Sequence, residues 1–97
     1  MVGNNPIDHF LKTALIVGGG QGIGLGFVQR LLAQEDVERV YATYRRLESA
    51  TDLLAITDSR LCCFQMDITD ESQIAAVINK IQAQTSSLHY VINSVGV

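Results

Sequence analysis

Residues Val17-Gly18-Gly19-Gly20-Gln21-Gly22-Ile23-Gly24 decide how this chain is read. Four apolar residues, Ala14-Leu15-Ile16-Val17, run directly into the glycines, and an amphipathic segment begins within the cluster's last turn. Strand, glycine turn and helix in that order bring backbone N–H groups and a helix N-terminus to one point. Aligned peptide dipoles and unpaired donors then face the same anion, an arrangement that suits the phosphates of a nucleotide. Glycine serves where a side chain would hold a pyrophosphate away from the backbone. Gly18, Gly20, Gln21, Gly22, Ile23 and Gly24 are therefore the expected phosphate-facing positions.

Outward from the turn, strand and helix signals alternate. Thr13–Val17 reads as a buried strand. Ile23, Phe27, Leu31 and Val28, Leu32 recur at helical spacing and predict a helix to about Gln34. Val37–Tyr44 is rich in β-formers, Leu47–Ile56 is weakly helical with Leu47, Leu54 and Leu53, Ile56 available for one face, and Leu61–Met66 makes a third strand. Ile74, Val77, Ile78 and Ile81 form the apolar stripe of a third helix, capped by Thr69 or Asp70, with Thr69 favoured. Thr85-Ser86-Ser87 ends it, and Leu88–Asn93 is a fourth strand. Such alternation implies βαβ units and a parallel sheet. The expected fold class is α/β: a Rossmann-type parallel sheet, βαβαβαβ, strand order 3-2-1-4, with its ligand crevice at the carboxyl ends of strands one and four. Ending at Val97 leaves strand four as an edge, so the chain is expected to be the front part of a larger domain, truncated after that strand, and to self-associate through it.

Composition narrows the function. The chain has 97 residues, 47% hydrophobic and 18% charged, which fits one packed unit, 1–97, with residues 1–11 as a polar N-terminal tail. A net charge of −3 with scattered basic residues argues against nucleic acid or an anionic membrane surface as partner. No apolar run approaches a membrane span and no signal peptide is evident, so the expected location is cytoplasmic. The two cysteines, Cys62 and Cys63, are adjacent and point to opposite faces of a strand, which suits reduced structural thiols rather than a disulfide or metal site. His89, within strand four, reads as a structural histidine.

Spacing separates three glycine templates. G-x-G-x-x-G fails, because its last position falls on Ile23 or Leu25, and the phosphate loop G-x-x-x-x-G-K-[ST] fails for want of a lysine. G-x-x-x-G-x-G fits at Gly18, Gly22 and Gly24. This spacing resembles the short-chain dehydrogenase/reductase family, whose motif normally begins with threonine where Val17 stands here. Asp67-Ile68-Thr69 after strand three resembles the segment whose aspartate meets the adenine amino group in that family. Asn93-Ser94-Val95-Gly96 after strand four resembles its N-N-A-G segment: the asparagine steadies the sheet and the backbone near the glycine approaches the cofactor's ribose. Ser94 and Val95 depart from that pattern. The resemblance runs from Thr13 to Val97 and implies cofactor contacts by Asp67, Ile68, Asn93, Val95 and Gly96.

The end of strand two bears on which dinucleotide. An acidic residue there accepts hydrogen bonds from both ribose hydroxyls in NAD-binding sheets. Here the strand ends Ala42-Thr43-Tyr44-Arg45-Arg46. Arg45 suits a 2′-phosphate through forked, charge-assisted hydrogen bonds, with a hydroxyl contact from Thr43, so NADP is expected over NAD.

Reductases of that family use a tyrosine acid/base with a lysine four residues later. Tyr41, Tyr44 and Tyr90 are followed at that spacing by Arg45, Glu48 and Ser94. The resemblance thus implies the NADP(H)-binding part of an enzyme that moves a hydride between NADPH and a carbonyl or alcohol, with no catalytic residue among these 97 and no activity expected of them alone. Two other classes compete: an S-adenosylmethionine methyltransferase fragment, whose G-x-G-x-G loop Gly20, Gly22 and Gly24 also fit, and a non-catalytic nucleotide-binding module.

Overall fold

The computed structural model describes residues 11–95; most of the expected tail, and Gly96, lie outside the described residues. The elements are β1 (Lys12–Val17), α1 (Gly22–Leu32), β2 (Val37–Tyr44), a 3-10 turn (Leu47–Ser49), α2 (Thr51–Leu54), β3 (Leu61–Gln65), α3 (Glu71–Gln82) and β4 (Tyr90–Asn93). All pairings are parallel, in the order β3-β2-β1-β4. The order read from the sequence is the one observed.

Alternation along the strands sorts side chains into two layers. Ala14, Ile16, Val40 and Ala42 join Val28 and Leu31 of α1 and Leu53 of α2 on one face. Leu15 and Tyr41 meet Met66 and the Val77 and Ile81 stripe of α3 on the other. Cys63 packs against the first cluster and Cys62 against the second, both as free thiols, in line with their expected opposite orientation.

Several local expectations are corrected. The buried side of α1 is Gly24, Val28 and Leu31, while Ile23 and Phe27 face outward. Contact between α1 and the turn needs a glycine at its start, so the helix presents Gly24 to the sheet and rotates Ile23 away. The last turn of α1 tightens, Gln34 N–H donating to the Leu31 carbonyl three residues back, and the helix stops at Leu32. Its end is held by a distant cation: the Arg60 guanidinium donates to the carbonyls of Leu32, Gln34 and Val37 while bound to Asp58. Leu47–Ile56 splits into two short pieces because Ala50 leaves helical geometry at φ −113°; Leu53 is buried there while Leu47 and Leu54 are exposed.

Asp70, not Thr69, caps α3. Its carboxylate accepts from the N–H groups of Ser72 and Gln73, whereas the Thr69 hydroxyl turns back to Asp67. β4 starts at Tyr90 rather than Leu88, because Thr13 N–H donates to the imidazole Nδ1 of His89 at 3.1 Å instead of to a strand carbonyl. That fixes His89 as a structural acceptor. Among the described residues β4 pairs with β1 alone, with Val17 opposite Asn93, and Tyr90 and Val91 on it are exposed.

Candidate functional site

The carboxyl ends of β1, β2 and β4 meet at the glycine turn. Gly18 and Gly22 adopt positive φ, 85° and 59°, which only glycine takes without strain. Two neighbouring strands strap the turn in place. From β2, the Thr43 hydroxyl accepts from Gly18 N–H at 3.1 Å and the Thr43 carbonyl from Gly19 N–H at 2.8 Å. From the β4 side, Ser94 N–H donates to the Val17 carbonyl at 2.9 Å, and its hydroxyl reaches the carbonyls of Val17 and Gly18 at 3.0 and 2.9 Å. With valine at position 17, hydroxyls from the flanking strands do the holding.

The helix that follows is left open. No side chain caps α1 at Gln21, and its first turn carries no acid, in contrast to α3, with Asp70 as cap and Glu71 in its first turn. The first N–H groups of a helix have no intrahelical partner, so the α1 terminus keeps donors for an anion. A Cβ on Gly22 would meet nothing within 4 Å, its direction being open cleft, whereas one on Gly24 would lie 2.0 Å from the Gly18 carbonyl oxygen. One glycine thus keeps the mouth clear and the other lets helix and turn touch. These features fit a pyrophosphate seated on the turn.

A cleft of about 500 Å³ lies over the turn. Gly18, Gly20, Gln21, Gly22, Ile23, Gly24, Arg45 and Val95 border it, as do Tyr44, Ser49 and Ser94. Arg45 also borders a second cleft of about 490 Å³ with Arg46, Asp67 and Lys80. The Arg45 Nε lies 3.6 Å from Asp67 Oδ2, with the arginine side chain 66% exposed. Asp67 is held below the usual carboxylate range, first by the Thr69 N–H, then by its hydroxyl, with a smaller part from Arg45.

Other expected contacts are placed elsewhere. Thr43 is buried behind the turn, its hydroxyl engaged by Gly18, so it positions the cleft rather than borders it. Ile68 is exposed and borders neither cleft. Asn93 also stands outside both, its Oδ1 accepting from Val95 N–H at 3.0 Å and fixing the chain's exit from β4. Gly96 is outside the described residues. Sequence reasoning missed Tyr44, Ser49 and the strapping role of Ser94. Tyr44 was findable as the last residue of β2, but the serines carry no local signal: their neighbours come from elsewhere in the chain.

The sequence profile of the short chain dehydrogenase family matches residues 12–97. Short-chain dehydrogenase PC-15 of Penicillium crustosum is 34% identical over 86 residues, covering 88% of this chain and 31% of that protein. Galactitol 2-dehydrogenase of Agrobacterium fabrum is 30% identical over 86 residues, covering 89% and 33%. Among solved structures, the Caenorhabditis elegans protein assigned as carbonyl reductase Sniffer superposes with a TM-score of 0.80 at 31% identity, covering 88% of this chain and 37% of that one. The chain thus spans about a third of the length of these curated relatives. The matches favour the dehydrogenase reading over the methyltransferase one. Sheet order, glycine spacing and a profile match through nearly the entire sequence agree, and this chain belongs to the short-chain dehydrogenase family.

Proposed function

We propose that this chain is the NADP(H)-binding portion of an oxidoreductase that transfers a hydride between NADPH and a carbonyl or alcohol. The observation that carries the reading is the cleft itself: the free N-terminus of α1 and Arg45 border one space, and no acid stands at the end of β2. The turn's N–H groups take the pyrophosphate. Arg45 offers two parallel donors to a 2′-phosphate, a geometry that lysine lacks. Ser94 and Val95 border the same cleft where the ribose of the nicotinamide half is expected. When bound, NADPH supplies the hydride; the chain's part is to seat and orient it.

By itself the chain is expected to bind without turnover, since no tyrosine in it has a lysine four residues later. A tyrosine whose pKa is near 10 needs such a partner to exchange protons near neutrality. A cytoplasmic location and self-association along the β4 edge belong to the same proposal; the exposed Tyr90 and Val91 support the latter.

Titration calorimetry with NADPH, NADH and S-adenosylmethionine tests the reading. NADPH is expected to bind best. Arg45→Ala is expected to weaken NADPH by roughly 10- to 100-fold, the worth of about 1.5–3 kcal/mol for hydrogen bonds to a charged group, and to leave NADH within about twofold, because no phosphate contact is lost. Equal losses for both cofactors would refute the phosphate role, and tighter binding of S-adenosylmethionine would refute the oxidoreductase reading.

A further inference from the structure

The residue expected to choose between dinucleotides, Arg45, is itself held from the next strand. Its carbonyl accepts from Gln65 Nε2 at 3.1 Å, and the ladder continues past β3 through Met66 N–H to the Tyr44 carbonyl at 2.8 Å. Its side chain approaches Asp67 through Nε. Nε points back along the side chain, so the pairing leaves the forked terminal nitrogens for another anion.

Asp67 is also anchored. Its Oδ1 accepts from the Thr69 N–H at 2.9 Å and the Thr69 hydroxyl at 2.7 Å. Its own N–H donates to Gln73 Oε1 at 2.8 Å. These bonds fix the carboxylate and turn Oδ2 toward Arg45. An exposed arginine otherwise loses rotamer freedom on binding a phosphate; a fixed carboxylate behind Nε restricts it beforehand.

We propose that Asp67 is a specificity-determining positioning residue: it holds Arg45 through Nε and presents the guanidinium fork to the 2′-phosphate of NADP(H). The inference rests on the NADP(H) reading above. It assigns the carboxylate a role in choosing the cofactor, separate from any contact it makes with adenine. That separation makes it testable, because adenine is common to NADPH and NADH and drops out of their affinity ratio.

The experiment measures dissociation constants of NADPH and NADH by calorimetry for the unaltered chain, Asp67→Asn, Arg45→Ala and the double variant. Asparagine keeps the Oδ1 acceptor for Thr69 and replaces the charged oxygen that faces Arg45 with an amide NH2, which cannot accept from Nε. The NADPH:NADH preference is expected to fall by about three- to fivefold in Asp67→Asn, the range of an exposed ion pair. Adding Asp67→Asn to Arg45→Ala is expected to leave the ratio where Arg45→Ala put it. An unchanged or increased preference in Asp67→Asn overturns the proposal, as does an equal fall with and without Arg45. If Asp67→Asn is not folded by circular dichroism, Asp67→Ser, which likewise removes the carboxylate facing Arg45, reads the same ratio, and no change there overturns it too. An unaltered chain that does not prefer NADPH removes the reading and this inference together. A preference abolished by Arg45→Ala but untouched by Asp67→Asn removes the inference alone.

Discussion

Gly24→Ala and Gly26→Ala place the same methyl on the same helix two residues apart, and the structure predicts opposite signs. At Gly24 the added Cβ would sit 2.0 Å from the Gly18 carbonyl oxygen and 2.4 Å from Ser94 Oγ. Against an ordinary separation of about 3.5 Å, the overlap with the carbonyl is about 1.5 Å. The obstacle is backbone of the turn on one side and backbone of α1 on the other, so no rotamer change relieves it. Overpacking costs about 1–3 kcal/mol and occasionally more, and a collision whose nearest atom is a backbone oxygen belongs at the top of that range. Alanine returns up to about 1 kcal/mol over glycine within a helix, leaving a net loss of about 2–3 kcal/mol by these two terms. For a chain of this size that lowers Tm by roughly 10–20 °C. At Gly26 a Cβ meets nothing within 4 Å and the backbone is ordinary helix, so the propensity term stands alone and stability rises by about 0.5–1 kcal/mol. Thermal and urea unfolding followed by circular dichroism measure both, with NADPH affinity expected to fall in Gly24→Ala alone. If Gly24→Ala melts at or above the unaltered chain, the close approach of helix and turn is not what requires glycine there.

Other expectations follow from the straps and caps. Ser94→Ala removes the hydroxyl that reaches the carbonyls of Val17 and Gly18; it is expected to cost about 1–2 kcal/mol in urea unfolding and to weaken NADPH and NADH alike, so a loss confined to one cofactor would contradict a role in holding the turn. Asp58 is held down at about 2, from an ordinary 3.8, by its hydrogen bonds with Arg60. Because the folded value is the lower one, this contribution is complete above 3.8 and is lost as pH falls toward 2. Melting temperature is therefore expected to drop over that window and to drop less in Asp58→Asn; identical pH profiles would remove Asp58 as a source of the acid sensitivity.

Much of the scaffold was legible because it rests on periodicities that need no partner to be identified. The continuous apolar run at Ala14–Val17 and the β-formers of Val37–Tyr44 marked strands, and the Ile74, Val77, Ile81 spacing marked α3. Legibility failed where two segments compete for one surface. The helical spacing of Ile23, Phe27, Leu31 and Val28, Leu32 marked α1 without saying which of them are buried: Ile23 and Phe27 are exposed, since contact with the glycine turn sets the helix's rotation. Thr69 and Asp70 are both capping residues by type; the helix begins at Glu71, which puts Asp70 at the cap, while the Thr69 hydroxyl donates to Asp67.

The sequence alone determined the parallel sheet and its order, the turn at Gly18, Gly22 and Gly24, and the arginine in place of an acid after β2. These follow from local spacing and from the handedness and length of βαβ connections. Tertiary structure decided how the turn is held and which residues border the cleft. Thr43 moved from expected ligand contact to strap, Ser94 became its counterpart from the other side, and Asp67 came within reach of Arg45. The partner of each strapping hydroxyl is set by segments 25 to 77 residues apart in the chain. No local pattern encodes such meetings; they exist only once the parallel strands bring their carboxyl ends together.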